Sequence, residues 1–597
     1  MTNLKEQCSI IVADALNKFA TENNLQTSIP IENLVIETPP NPEMGDVGIP
    51  MFPFAKVLRK APPMIAEAVV AIVSKDERSA SIGQFLAVGP YVNLKLNKVA
   101  AISDTLVLIQ NQGEKYGTLD SKGEVPLKGR RVMVEFSSPN TNKPLHLGHL
   151  RNDALGESIS RILKEAGAEV YKVNIINNRG VHICKSMLAY QKFHQPKGET
   201  PESLNIKSDR FVGDCYVEFD KWNKQDSSAE TQAQELLVKW EQGDKEVHEL
   251  WETMNNWAIH GIQQTYKRTG VSFDKLYYES DTYLKGKEEI LKGLEEGIFY
   301  KEEDGSVWVD LAEIGLDKKV LLRKDGTALY MTQDIGTAIY RHKDWAFNQL
   351  VYVVGSEQQY HFKVLFYVLK KLGYQWADQL YHLSYGMVNL PEGKMKSREG
   401  TVVDADDLIN SLRDGALEEI ATKGREEAVG NPNEVAESIA LGALHYYLLQ
   451  TTPTKDMLFN PKEYLSFNGN TGPYLQYMGA RICSILKKAE EKGVSVAKGT
   501  DGAELLSHET EWELIKILGE YPKTVVKAAQ DLDPSQVATY LYNVAKSFSR
   551  FYHDCPALGI AQENPQLASA RLALIQATRI VLKKGLNLIL VPFLETM

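Results

Sequence analysis

Two histidines, His146 and His149, flank Leu147-Gly148 three positions apart, which on a helix turns both imidazoles the same way. Lys143, three residues upstream, brings a full positive charge to the same loop. Gly148 has no side chain, so a flat ring or a phosphate can come close to the backbone. A helix start at this point supplies unpaired N–H groups and a positive dipole end, both of which favour phosphate. The combination suits a triphosphate, although it is not the Gly-x-x-x-x-Gly-Lys loop. His-x-Gly-His also fits a metal or capping pair, but Ser137-Ser138-Pro139-Asn140 and the lysine beside it favour phosphate. A second basic cluster, Lys394-Met395-Lys396-Ser397-Arg398, lies between Gly393 and Gly400. A loop of that kind can close over transferring phosphoryl oxygens and stabilise their charge.

These residues need a frame. Residues 130–136 alternate apolar and polar and read as a strand, 137–146 as a polar, proline-bearing loop, and about 147–163 as a helix. Strand, loop and helix in that order open a nucleotide-binding α/β sheet, in which the ligand sits at the carboxyl end of the strand. A second strand is expected over 170–176. Residues 193–270 are polar and acidic and carry Trp222, Trp240, Trp251 and Trp257, so they read as inserted helices with the tryptophans as core anchors. The sheet is expected to resume at 320–323, with 328–335 as a strand entering a helix, 350–355 as a buried parallel strand and 381–390 leading to the basic loop. Beyond about 405 strand signals stop, and 407–430, 433–451, 474–492, 510–531, 534–553 and 565–590 have helical periodicity.

Composition bounds the rest. A chain of 597 residues exceeds one core, so about three domains are expected. Five scattered cysteines without a Cys-x-x-Cys pair argue against a disulfide framework and a structural zinc site, and no metal-ligand set is assigned. No long uncharged apolar run is present, so a cytoplasmic protein without a membrane partner is expected. The net charge of −11 alone leads away from nucleic acid.

The motifs lead back to it. His146-Leu147-Gly148-His149 resembles the HIGH signature of class I aminoacyl-tRNA synthetases, and Lys394–Arg398 resembles their KMSKS signature. The longer string from Glu135 to His149 is similar to arginyl-tRNA synthetases in particular. The Gly45-Asp46 turn and Gly89-Pro90-Tyr91-Val92-Asn93 resemble that family's appended N-terminal domain. The second lysine of the loop signature falls on Ser397, a departure many arginyl enzymes share and offset with the lysine at the position of Lys143.

The resemblance implies a Rossmann-type α/β catalytic domain with inserted helices (125–405, insertion around 193–270). A small α/β N-terminal domain (1–115) contacting tRNA precedes it, and an all-α stem-contact and anticodon-binding domain (406–597) follows. It implies a monomer that activates L-arginine with ATP and Mg²⁺, without a tightly bound cofactor, and transfers arginine to tRNA(Arg), the activation step requiring bound tRNA. His146, Gly148, His149, Lys143 and Lys394, Met395, Lys396, Ser397 would hold ATP; His146, His149, Lys143, Lys394, Lys396 and Arg398 would carry the charge stabilisation. A planar, permanently charged guanidinium calls for carboxylates in a fork. Glu135 and Asp334 would supply them, Tyr330 would pack on the same helix face, Ser138 and Asn140 would meet the amino-acid head, and Gln358 would close the pocket. Tyr474, Tyr477, Arg481 and Tyr552 are the candidates for splayed anticodon bases. Two other readings stay open: a different class I ligase, such as a cysteinyl or glutamyl enzyme, and a non-catalytic tRNA-binding paralogue.

Overall fold

The structure is a computed structural model, and it describes residues 2–119, 124–389, 403–422, 424, 429–460 and 465–597. At its centre five parallel strands stand in the order β5-β4-β1-β2-β3. They are β1 (Arg131–Glu135), β2 (Glu169–Ile176), β3 (Lys275–Tyr278), β4 (Gln349–Gly355) and β5 (Leu380–Tyr385). This is the doubly wound order of a Rossmann-type sheet, whose direction of winding reverses between β1 and β4. Val132, Met133, Val134, Leu350, Val351 and Val353 are all buried, because helices cover both faces of a parallel sheet. The helices that matter for the site are α1 (Leu147–Glu165), α2 (Val181–Phe193), α3 (Lys245–Thr269), α4 (Tyr330–Asp344) and α5 (Gln359–Lys371).

Four expectations need correction. Residues 328–335 form no strand among the described elements: α4 starts at Tyr330, directly after the Asp325-Gly326 turn. Lys319–Leu322 is a strand, but it belongs to a separate antiparallel sheet with Tyr300–Lys301 and Val307–Val309. Gly305, in the left-handed region, folds the first two of these into a hairpin, and so short a meander cannot reach the central sheet. The single helix expected over 510–531 is two, Glu509–Gly519 and Tyr521–Asp531, because Pro522 lacks the N–H that a continuous helix needs. Strand structure also continues past 405, where Met457–Leu458 pairs in parallel with Val388–Asn389.

Residues 193–270 are helical, as the pattern implies, with Ser208–Gln225, Ser228–Glu241 and α3 enclosing a core to which all four tryptophans contribute. Ahead of the central sheet, Val47–Pro50, Tyr91–Leu96 and Gly83–Val88 form a three-stranded antiparallel sheet against Thr2–Glu22 and Pro62–Val73. Here Gly45 is required, since a Cβ would lie 2.8 Å from the Leu94 carbonyl oxygen, and Asp46 accepts from the Leu96 N–H at 3.1 Å. The helices after 405 pack on α1, and one core runs continuously from the N-terminal unit through α1 into them. Among the described residues no helix is long and apolar enough to cross a membrane.

Candidate active site

The cleft opens at the carboxyl ends of β1 and β4, where the winding reverses. After β1 the chain turns through Ser137 and Ser138, both non-glycine residues in the left-handed region (φ 77° and 50°). Such a turn costs energy unless its surroundings hold it. Asn152 of α1 accepts from the Ser137 N–H at 2.6 Å, and Asn174 of β2 accepts from the Ser138 N–H at 2.9 Å. Tyr266 of α3 meets the Ser137 hydroxyl at 2.6 Å and receives the Asn174 amide at 3.1 Å. Asn177 fastens the next turn: its side chain donates to the Ser138 carbonyl, and its backbone bonds to Pro139 and Thr141. Asn140 stands exposed at the rim.

The two histidines cap α1 reciprocally. His146 Nδ1 accepts from the Gly148 N–H at 3.1 Å, and His149 Nδ1 accepts from the His146 N–H at 3.2 Å; their ring centroids are 4.0 Å apart. The Leu147 N–H is bonded to the Val403 carbonyl, and the 149 and 150 N–H groups to the His146 carbonyl. The expectation of free N–H groups at this helix start is therefore wrong: the His146 imidazole has taken that of Gly148, and the Val403 and His146 carbonyls the others. Burial, and then Lys143, lowers His146 to about 4, while burial, His146 and Lys143 hold His149 well below the usual histidine range. Both rings are neutral at pH 7. With each Nδ1 accepting, each must carry its proton on Nε2, which leaves two N–H donors for phosphate oxygens. Burial also lowers the Lys143 ammonium, which forms no ion pair among the described residues.

Lys394, Met395, Lys396, Ser397 and Arg398 lie outside the described residues. The described flanks of that segment are anchored beside the site. Val388–Asn389 pairs with Met457–Leu458, and Asp404 bridges His146, with the Ala405 N–H on the Leu145 carbonyl.

On the other wall, Glu135 at the end of β1 and Asp334 on α4 are near enough for Asp334 to raise the Glu135 carboxyl. Neither is unpartnered. Arg341, two turns along α4, donates to Glu135 Oε2, while Ser138 Oγ lies 3.4 Å from Oε1. His361 of α5 holds Asp334 Oδ2 at 2.6 Å. A third carboxyl, Glu279 at the end of β3, was missed by sequence reasoning; burial raises it to about 7 against the pull of Arg179, and Asp334 adds to the rise. Its signal is an acid directly after Leu276-Tyr277-Tyr278, close to the placement of Glu135 as the last residue of β1. Tyr330 is 75% exposed at the first position of α4, and Gln358 is exposed just after β4.

Far along the chain, Tyr477, Arg481 and Tyr552 line one cavity of about 1360 Å³ together with Lys487, Lys488 and Arg579. The Arg481 guanidinium lies 5.4 Å from the Tyr552 ring centre. Tyr474 packs instead against Tyr542, their ring centres 6.0 Å apart.

Comparison with known proteins agrees with this layout. Residues 118–461 match the family described as tRNA synthetases class I (R), catalytic domain; 475–597 match the DALR anticodon binding domain, and 6–96 the arginyl tRNA synthetase N-terminal domain. An arginine–tRNA ligase of Treponema denticola is 62% identical over the whole of both chains, and one of Borrelia hermsii is 46% identical over 98% of each. The solved Thermus thermophilus arginyl-tRNA synthetase superposes with a TM-score of 0.76 at 26% identity, covering 98% of this chain and 99% of its own. The sheet order, the histidine pair at the winding reversal and these full-length likenesses place the chain in the arginyl-tRNA synthetase family, of class I.

Proposed function

We propose that this enzyme activates L-arginine with ATP–Mg²⁺ and passes the arginyl group to the 3′ end of tRNA(Arg). The observation that carries the reading is a pair of clusters: Asp334 acts on both Glu135 and Glu279, and two neutral imidazoles act with Lys143 at the start of α1. A cation and a polyphosphate are thereby given separate clusters. In the first step the arginine carboxylate attacks the α-phosphorus of ATP in line and pyrophosphate leaves. The Nε2–H groups of His146 and His149 and the Lys143 ammonium stabilise charge on the phosphoryl oxygens, with Gly148 leaving room for the nucleotide. Lys394, Lys396 and Arg398, with Met395 and Ser397, act on the leaving pyrophosphate. In the second step the terminal ribose hydroxyl of tRNA attacks the mixed anhydride. No side-chain nucleophile is needed; positioning and charge supply the rate.

In the pocket, Asp334 and Glu279 meet the substrate guanidinium, Glu279 taking the place expected of Glu135, whose Oε2 is held by Arg341. Tyr330 folds over the substrate from its exposed position, and Gln358 closes the mouth. Glu135 Oε1, Ser138 and Asn140 face the rest of the amino acid. Tyr477, Arg481, Tyr552 and Tyr474 offer aromatic and cationic surface to anticodon bases. Residues 1–115, 125–405 and 406–597 divide the labour among outer-corner contact, catalysis, and stem and anticodon contact. We read the enzyme as a monomer acting in the cytoplasm.

The test is ATP–pyrophosphate exchange with each of the twenty amino acids, with and without tRNA. Exchange is expected with arginine alone and only when tRNA(Arg) is present. Exchange driven by another amino acid would refute the reading.

A further inference from the structure

Arg341 is the feature of the cleft that the reaction scheme leaves unused. It sits seven residues beyond Asp334 on α4, its side chain is 2% exposed, and among the described residues its carboxylate partner is Glu135 Oε2. Among the described residues no acceptor lies within normal hydrogen-bond geometry of its Nε and second terminal nitrogen, Tyr352 faces it, and the Tyr277 ring centre lies 5.0 Å from the guanidinium carbon. Burying such a pair gives no assured gain in stability, because desolvating two ions offsets their attraction. Its placement against Glu135 gives it another use.

We propose that Arg341 is a positioning residue of the arginine pocket, fixing Glu135 through Oε2 so that Oε1, still charged, is presented to a cationic group of the substrate. The charge count agrees. Arg179, which pulls on Glu279, is itself paired with Glu241, so Glu135, Asp334 and Glu279 against Arg341 leave a net charge of −2 when all are ionised, and L-arginine brings two positive groups, its guanidinium and its α-ammonium. Without Arg341 three carboxylates would share the cavity, and such groups protonate rather than repel. Burial already pushes the Glu135 carboxyl up, Arg341 opposes that rise and Asp334 adds to it; Tyr277 and Tyr352 are the other ionisable groups facing Arg341.

The inference rests on the reading that Glu135 lines the arginine pocket, and the variants separate the two. In tRNA-dependent exchange, Arg341→Met is expected to raise the arginine KM tenfold or more at pH 7 and to leave the ATP KM within threefold. The ratio of variant to wild-type arginine KM should shrink as pH rises from 7 to 9, because alkali restores the Glu135 carboxylate. Arg341→Lys, which keeps the charge, should recover part of the loss. If Arg341→Met does not fold, the double variant Glu135→Gln/Arg341→Met removes both charges, and its arginine KM should be no worse than that of Glu135→Gln alone. An arginine KM within threefold of wild type in Arg341→Met, a loss equal at every pH, or a double variant tenfold worse than Glu135→Gln would overturn the proposal. If Glu135→Gln itself leaves the arginine KM unchanged, the pocket reading of Glu135 fails instead.

Discussion

Changing Asp334 to Asn removes one charge from the pocket while keeping the shape of the side chain. Its carboxylate is 42% exposed and already holds His361 at 2.6 Å through Oδ2, so solvent and the imidazole both temper its field. Two unit charges 4 Å apart near a protein surface attract by about 4 kcal/mol at an effective dielectric constant of about 20. Desolvation and screening reduce that, and a hydrogen bond to a charged group nets about 1.5–3 kcal/mol. The arginine KM should therefore rise by roughly 10- to 150-fold, at 1.4 kcal/mol per factor of ten. The guanidinium end is remote from the reacting carboxylate, so kcat should change far less than KM. Exchange kinetics at saturating ATP and tRNA, with arginine varied over four decades, measure both quantities. A KM within twofold of wild type would remove Asp334 from the pocket and with it the assignment of the acidic wall.

Three further outcomes follow from named groups. Glu279, raised to about 7 in the empty cleft, must be ionised to meet a cation, so the arginine KM should fall as pH rises from 6 to 8; Glu279→Gln should raise KM and flatten that slope, whereas a flat wild-type profile excludes its part in binding. Asp153 on α1 is buried, neither oxygen has a partner of normal hydrogen-bond geometry among the described residues, and burial, its largest influence, raises it to about 8 against the pull of Ser137. Its folded state thus holds a proton that the unfolded chain gives up near pH 4, and stability declines with pH from that point up to about 8. Asp153→Asn should consequently raise the melting temperature, more at pH 7.5 than at pH 5.5; an equal shift at both pH values would show that the carboxyl is not being held neutral. Asn152→Ala strands the buried Ser137 N–H at the left-handed turn, a loss of about 1–3 kcal/mol, and should lower kcat/KM about 5- to 150-fold with an intact far-ultraviolet spectrum. Unaltered kinetics would mean that the turn holds itself.

The sequence made the central strand-loop-helix unit legible because Val132, Val134 and Phe136 alternate and the histidine pair follows a proline-bearing loop. The strands around it were legible for the same reason, being long or unbroken apolar runs such as 350–355. Short strands were not: β3 has four residues and follows a long helix, and without β3 its terminal Glu279 could not be placed. Lys319–Leu322 looked like sheet and is sheet, but strand membership depends on partners far away in the chain. The two carboxylates were legible as residue types, yet their partners Arg341 and His361 were not, since pairings of residues 206 and 27 apart leave no local pattern. The capping role of the histidines was likewise hidden. Spacing alone showed that they share a face, and only geometry showed that each Nδ1 is spent on a backbone N–H. The four anticodon-side candidates show the same limit, because three of them line one cavity and Tyr474 turns to Tyr542.

The central claim is that one cleft holds a guanidinium on its acidic wall and phosphates on its histidine wall. A crystal structure with L-arginine and a non-hydrolysable ATP analogue bound tests this most directly. The account predicts the guanidinium within hydrogen-bonding distance of Asp334 and Glu279, and phosphate oxygens within reach of the Nε2 atoms of His146 and His149. A guanidinium bound elsewhere, or phosphates held by the helix N–H groups with the imidazoles displaced from their caps, would contradict it.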